Sequence, residues 1–200
     1  MATTFESIMK QLKDRKFAPV YLLMGDEPYY IDQISNYIEN NALPEEERDF
    51  NQTVFYGKDT NASDVVANAK QFSFGSEYHV VILKEAKDMK DIDLMQSYFQ
   101  NPLKSTILVV CHKYGKMKAS SYKACDKETV IFNSEPVRDY NLSAWVSKCA
   151  EENGYTISPE VALIITEHIG NDLNRIDNEF KKMKIFVPQG SKITSDIVEK

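Results

Sequence analysis

VYLLMGDEPYYID, residues 20–32, reads as a strand, a turn and a helix in immediate succession. Val20 to Met24 is an apolar and aromatic run, Gly25 can turn the chain sharply, and Pro28 falls where the first turn of a helix tolerates a missing N–H. In nucleotide-binding proteins such a turn holds phosphate, because the N–H groups and dipole of a helix N-terminus favour anions. A phosphate cradle needs G-x-x-x-x-G-K-[ST]: glycines for close approach, lysine for the phosphates, a hydroxyl for magnesium. This turn is Gly-Asp-Glu-Pro, with one glycine, no lysine, no hydroxyl and two carboxylates that repel phosphate. The expectation is a nucleotide-binding topology without a bound nucleotide, and with no cofactor or metal.

Outward from this unit the chain alternates between strand and helix patterns. Phe5, Ile8, Met9 and Leu12 mark a short amphipathic helix before the first strand, and Ile31, Ile34, Tyr37 and Ile38 continue the helix after Pro28 towards Asn40 and Asn41. PEEERD, 44–49, reads as an acidic surface loop lacking the alternating oxygen ligands and central glycine of a calcium loop. NQTVFYG (51–57), HVVILK (79–84), STILVVC (105–111) and ETVIFN (128–133) read as further strands. Helical patterns lie between them, one carrying Val65, Val66, Ala69 and Phe72, another Ile92, Met95 and Phe99. Five strands separated by helices predict an α/β fold with a doubly wound parallel sheet.

After Asn133 the pattern becomes helical. Leu142, Trp145, Val146, Cys149 and Ala150 share one face, and Ser158-Pro159-Glu160 caps a second helix carrying Val161, Ile164, Ile165 and Ile169, which Gly170 ends. A third helix follows with Leu173, Ile176, Phe180 and Met183 inward. The expected organisation is an α/β domain over 1–136, a three-helix domain over 137–190, and in 191–200 the start of a further helical domain.

With 200 residues, 42% hydrophobic, the chain can bury a substantial core. Its longest apolar runs are far short of the ~18 residues that a membrane span needs, and no secretory leader pattern is present at Met1. Three widely spaced cysteines, Cys111, Cys125 and Cys149, fit reduced thiols, so the expected location is the cytoplasm, with no membrane partner. A net charge of −6 argues against wrapping nucleic acid with the whole surface. One basic stretch stands out, HKYGKMKASSYKACDK, with Lys113, Lys116, Lys118, Lys123 and Lys127 against Asp126. It is a candidate contact for DNA or an acidic partner, or a solvated face of a connecting helix. Cys111-His112 is a candidate nucleophile and base, but neighbours on a strand point to opposite faces, which favours a buried strand-end cysteine. An active ATPase would carry Asp-Glu at the end of the strand that here ends in Lys84-Glu85, and lysine cannot ligate magnesium.

Three stretches in order, VYLLMGDEPYYID (20–32), QFSFGSEYHVVIL (71–83) and SPEVALIITEHIGNDLNRIDNEFKKM (158–183), resemble the delta subunits of the bacterial DNA polymerase III clamp loader. The resemblance implies a degenerate, AAA+-like P-loop domain followed by a lid, with ATP binding lost and no catalytic residues. The activity it implies is mechanical, as a subunit of a DNA-directed DNA polymerase holoenzyme: binding the ring-shaped sliding clamp (beta) and helping to open it during replication. The implied partners are the clamp, the ATPase subunits and delta-prime of the loader and, in the assembled complex, primed DNA; an obligate homo-oligomer is not implied.

The same resemblance assigns clamp binding to residues 72–74. In the family a hydrophobic pair in this bend plugs an apolar pocket on the clamp, and Phe74 sits on the aromatic position. Ser73 stands where the family carries a large apolar residue, so either Phe72 or Ser73 joins Phe74. Read from the residues alone, both rings could instead be core, Phe72 continuing the Val65 and Ala69 stripe and Phe74 folding under Gly75. Two other functions remain open: a small-molecule enzyme using Asp26, Glu27 or Glu85 at the strand ends, and a scaffold that touches only sister subunits.

Overall fold

The Thr4 hydroxyl accepts the Ser7 N–H and starts α1 (Phe5–Lys13), which buries Ile8 and Leu12. The structure, a computed structural model, describes residues 3–198. β1 (Val20–Gly25) is buried along its whole length, and the Glu27 carboxylate caps α2 (Pro28–Asn41) by accepting the Tyr29 N–H at 3.0 Å.

The stretch expected as an acidic loop is helical instead: α3 (Glu45–Asn51) runs straight into β2 (Gln52–Tyr56). Glu45, Glu46 and Glu47 in its first turn complement the helix dipole, so the acid run after Pro44 marks a helix start. Arg48 turns back on the preceding chain, its guanidinium donating to the Asn40 and Leu43 carbonyls.

Asn61 caps α4 (Ala62–Ala69), which ends before Phe72, so Phe72 does not continue that helix. β3 (His79–Lys84) follows. The next stretch makes two 3₁₀ turns, Ala86–Asp88 and Ile92–Met95, before the short α5 (Gln96–Gln100), so Ile92 and Phe99 do not share one continuous α-helix. β4 (Thr106–Lys113), α6 (Ala119–Tyr122) and β5 (Val130–Ser134) complete the sheet. Because α6 is a single turn, Lys116, Lys118, Lys123 and Lys127 lie along a largely irregular connection after Lys113 at the end of β4, not on the face of a long helix.

The five strands form one parallel sheet in the order β2-β3-β4-β1-β5. Parallel neighbours need crossover connections, which put helices on both faces and bury the central strands twice. Alternate residues serve the two cores. Val20, Leu22, Val81, Leu83, Leu108 and Val110 pack with α4 and α5 residues, whereas Tyr21, Leu23, Ile82, Val109 and Cys111 pack with α1 and α2. This is the expected doubly wound α/β fold.

The chain divides into two units, Met1–Glu135 and Pro136–Lys200. The second holds α7 (Asp139–Glu152), β6 (Thr156–Ile157), α8 (Pro159–Ile169), α9 (Leu173–Met183), β7 (Lys192–Ile193) and α10 (Ser195–Val198). Leu173, Ile176, Phe180 and Met183 are buried on α9. α7 and α9 are also joined by a polar contact, as Asn153 at the end of α7 donates from Nδ2 to Asp177 at 3.0 Å, a carboxylate that Lys181 pairs with at 2.6 Å one turn along α9. Lys192 and Ile193 pair with Thr156 and Ile157 in a two-stranded parallel ribbon that hydrophobic patterning does not announce.

Gly25 is a point of close approach at the edge of the sheet where the strands end. Its φ is +128°, and a Cβ there would stand 2.1 Å from the Ser134 carbonyl oxygen. Gly25→Ala is expected to cost roughly 2–4 kcal/mol through backbone strain and forced separation of β1 from β5, read as a lower midpoint in urea denaturation. An unchanged midpoint would contradict this account of the turn.

Candidate functional site

The bend 70–78 connects α4 to β3 and lies at the edge of the sheet where β2 and β3 begin. Phe72 and Phe74 are 81% and 80% exposed, so neither ring is core. The backbone beneath them is fixed. Asn51, the last residue of α3 and only 1% exposed, accepts the Phe74 N–H at 2.6 Å and donates to the Phe74 carbonyl at 3.1 Å and the Glu47 carbonyl at 3.2 Å. Ser73 is half-buried and donates its hydroxyl to the Ser76 carbonyl, so Phe72 is the second exposed ring of the bend. The base of the bend is held as well: His79 Nε2 lies 3.1 Å from Asn68 Oδ1, and Tyr78 packs edge-on to Phe17 with centroids 5.5 Å apart. Burial lowers the pKa of His79 below the ordinary histidine value, which favours its neutral ring at this join.

Sequence reasoning missed two residues here. Phe50, 74% exposed, packs its ring against Phe74 with centroids 6.4 Å apart, and Asn51 supplies the backbone lock. The available signal was an aromatic followed by an amide immediately before a strand that pairs with the strand following the bend.

At the opposite edge, the Gly25 turn is occupied by the chain itself. Gly25 donates to the Gly115 carbonyl and accepts from the Tyr114 N–H, both at 2.9 Å, while the Glu27 N–H donates to the Ser134 carbonyl at 3.3 Å. The Glu27 carboxylate caps its own helix, and Ser134 Oγ donates to the Glu27 carbonyl at 2.7 Å. The groups that would bind phosphate are therefore engaged, and Glu27 acts as a helix cap. Asp26 and Glu85 are exposed; Glu85 sits in a left-handed turn at φ 53°.

The structure does not gather the candidate lysines into a free patch. Lys113 pairs with Asp32 at 2.5 Å and Lys118 with Asp93 at 3.1 Å, whereas Lys116 is exposed on the intervening bend.

The family model for DNA polymerase III, delta subunit, matches residues 21–135. The chain belongs to that family. It is 26% identical over 204 residues to the DNA polymerase III subunit delta of Bacillus subtilis, covering 96% of this chain and 59% of that protein. The solved Bacillus subtilis DNA clamp loader delta protein superposes with a TM-score of 0.76 at 23% identity, over 98% of this chain and 61% of the other. The RuvB Holliday junction branch migration motor of Thermotoga maritima shares the fold alone, with a TM-score of 0.55 at 15% identity, over 97% of this chain and 67% of that one. The chain thus spans about three fifths of the length of its delta relatives.

The cysteines of this delta-family chain are poor nucleophiles. Burial pushes the thiols of Cys111 and Cys125 up to about 11 and that of Cys149, beside Asp177, to about 12. Cys111 packs with the α1 and α2 core, while His112 Nδ1 lies 3.4 Å from the Gly115 carbonyl. At pH 8 about a thousandth or less of each thiol is thiolate, since each unit above the pH reduces it tenfold. Native alkylation with iodoacetamide at pH 8 is expected to leave all three unmodified over minutes, with rapid labelling in urea, as read by intact mass. Rapid native labelling of Cys111 would restore the nucleophile.

Proposed function

We propose that this chain is a clamp-loader subunit that does not bind ATP, docks on the sliding clamp (beta) through the bend 70–78 and helps to open the ring during DNA replication in the cytoplasm. Phe74 is the main anchor and Phe72 its companion. The observation that carries this reading is the pair of exposed rings held on a backbone locked by a buried amide. Burying one phenylalanine side chain is worth roughly 1.5–3 kcal/mol, and aromatic anchors in desolvated pockets dominate protein interfaces. A flexible loop would have to be ordered on binding; this bend is ordered beforehand.

Docking alone does not open a ring. The subunit shifts the clamp's equilibrium only by the difference between its affinities for the open and closed forms. The sister ATPase subunits bind and hydrolyse ATP, delta-prime completes the loader, and primed DNA joins the assembly. Residues 1–136 form the AAA+-like body and 137–190 the lid. No catalytic group is required of this chain. Lys113 and Lys118 already face carboxylates, which leaves Lys116, with Lys123 and Lys127 further along, as the exposed lysines of that stretch for a DNA contact.

Calorimetric titration of the full chain with the sliding clamp of its own organism tests the reading. Phe74→Ala is expected to weaken binding by about thirtyfold, corresponding to ~2 kcal/mol, and Phe72→Ala by less, with circular dichroism and melting temperature unchanged. Equal affinity for parent and both variants would overturn docking through the bend, and absence of binding by the parent would leave a scaffold role among sister subunits.

A further inference from the structure

We propose that α3 belongs to the same docking surface as the bend, with Phe50 as a third anchoring ring and Asn51 as the residue that positions Phe74 beside it. The inference deepens the clamp-binding reading and rests on it. Its origin is the register of the sheet. β2 and β3 are parallel neighbours with Gln52 opposite Val80, so Asn51, the residue before β2, and His79, the first residue of β3, meet at one edge. The bend leading into His79 is thereby brought against the end of α3.

The contacts follow from that placement. Phe50 and Phe74 stand 6.4 Å apart between centroids at 46°, within the range of attractive aromatic pairs. Both rings nonetheless remain mostly in solvent, at 74% and 80% exposure, with Phe72 at 81%. Their mutual contact therefore leaves three aromatic faces to be covered by a partner. Asn51 contributes differently. It is buried and has both functions of its carboxamide on the Phe74 backbone, so it touches no partner and fixes where the ring emerges.

Charge identifies the kind of occupant. Exposed rings could stack on the bases of single-stranded nucleic acid, but such sites combine aromatics with cations that track phosphate. Here α3 carries Glu45, Glu46, Glu47 and Asp49, its Arg48 is turned onto carbonyls, and Glu77 is exposed beyond the bend, against Lys70 alone in 70–77. An acidic rim around apolar rings fits a protein surface with an apolar pocket flanked by basic side chains.

The test is clamp titration of the full chain and of Phe74→Ala, Phe50→Ala, the double variant, Asn51→Ala and Asn51→Asp, with a fluorescent oligothymidylate as a second probe. Phe50→Ala is expected to weaken clamp binding about fivefold or more, and the double variant to lose less than the product of the singles, since the rings support each other. Asn51→Ala should weaken binding and abolish the Phe50–Phe74 ring NOE in the free protein while slow amide exchange of β2 and β3 persists; Asn51→Asp, which keeps the acceptor for the Phe74 N–H, should recover part of both. Loss of binding in Phe74→Ala with none in Phe50→Ala overturns this inference and spares the clamp reading. Retained binding in both overturns docking through the bend and this inference with it, and no binding by the parent chain overturns the clamp reading itself. Oligothymidylate binding that depends on Phe50 overturns the choice of a protein occupant. Should Asn51→Ala fail to fold, the exposed Phe50 still decides.

Discussion

The parallel hydrogen-bond ladder that sets β1 between β4 and β5 constrains everything else in the α/β unit. A strand in that position has no solvent face, so Val20 to Met24 must be apolar or aromatic at every residue and β4 nearly so, whereas the edge strand β5 alternates buried and exposed residues. Helices then have to cover both faces, and each crossover returns the chain to the same edge before the next strand begins. The sheet therefore has two unlike edges. Strands end at one, where α/β folds ordinarily hold ligands, and begin at the other.

In this chain the ligand edge is closed from within. The Gly25 turn hydrogen-bonds to Gly115, Tyr114 and Ser134, and Glu27 supplies to its own helix the negative charge that a phosphate would otherwise bring. The opposite edge carries the exposed aromatics, because the connections α3–β2 and α4–β3 both arrive there. Delta relatives and the Thermotoga RuvB motor thus share a sheet with this chain, while the groups here leave open a different edge from the one a nucleotide would use.

Legibility in the sequence followed burial. β1, β3 and β4 were readable because double-sided burial leaves unbroken apolar runs, and α8 and α9 because Ser158-Pro159 and Asp172 start stripes of regular period. α3 was hidden because its seven residues are set by end effects, acids at the N-terminus and Arg48 on neighbouring carbonyls, with no apolar stripe. The two-residue strands of the second unit are too short for any period. At the site, Phe72 and Phe74 were found through resemblance, and the residues alone left them undecided between core and surface. Phe50 was marked only as an aromatic just before a strand, since its relation to Phe74 is made by a register between strands 23 residues or more apart in the chain.

That register also explains why the rings can stay exposed without making the bend loose. Three phenylalanines in water gain nothing from folding by their own burial, and a nine-residue connection bearing two of them would ordinarily move. Asn51 removes that freedom from a buried position, so the ordering cost is met by the fold and not by the partner. The same amide is shared between α3 and the bend, so any force on Phe74 passes into α3 and β2 and thence to the sheet. On the proposed reading, in which the subunit pulls on a ring, such a rigid connection matters more than a large interface: the anchor transmits only what its mounting can resist.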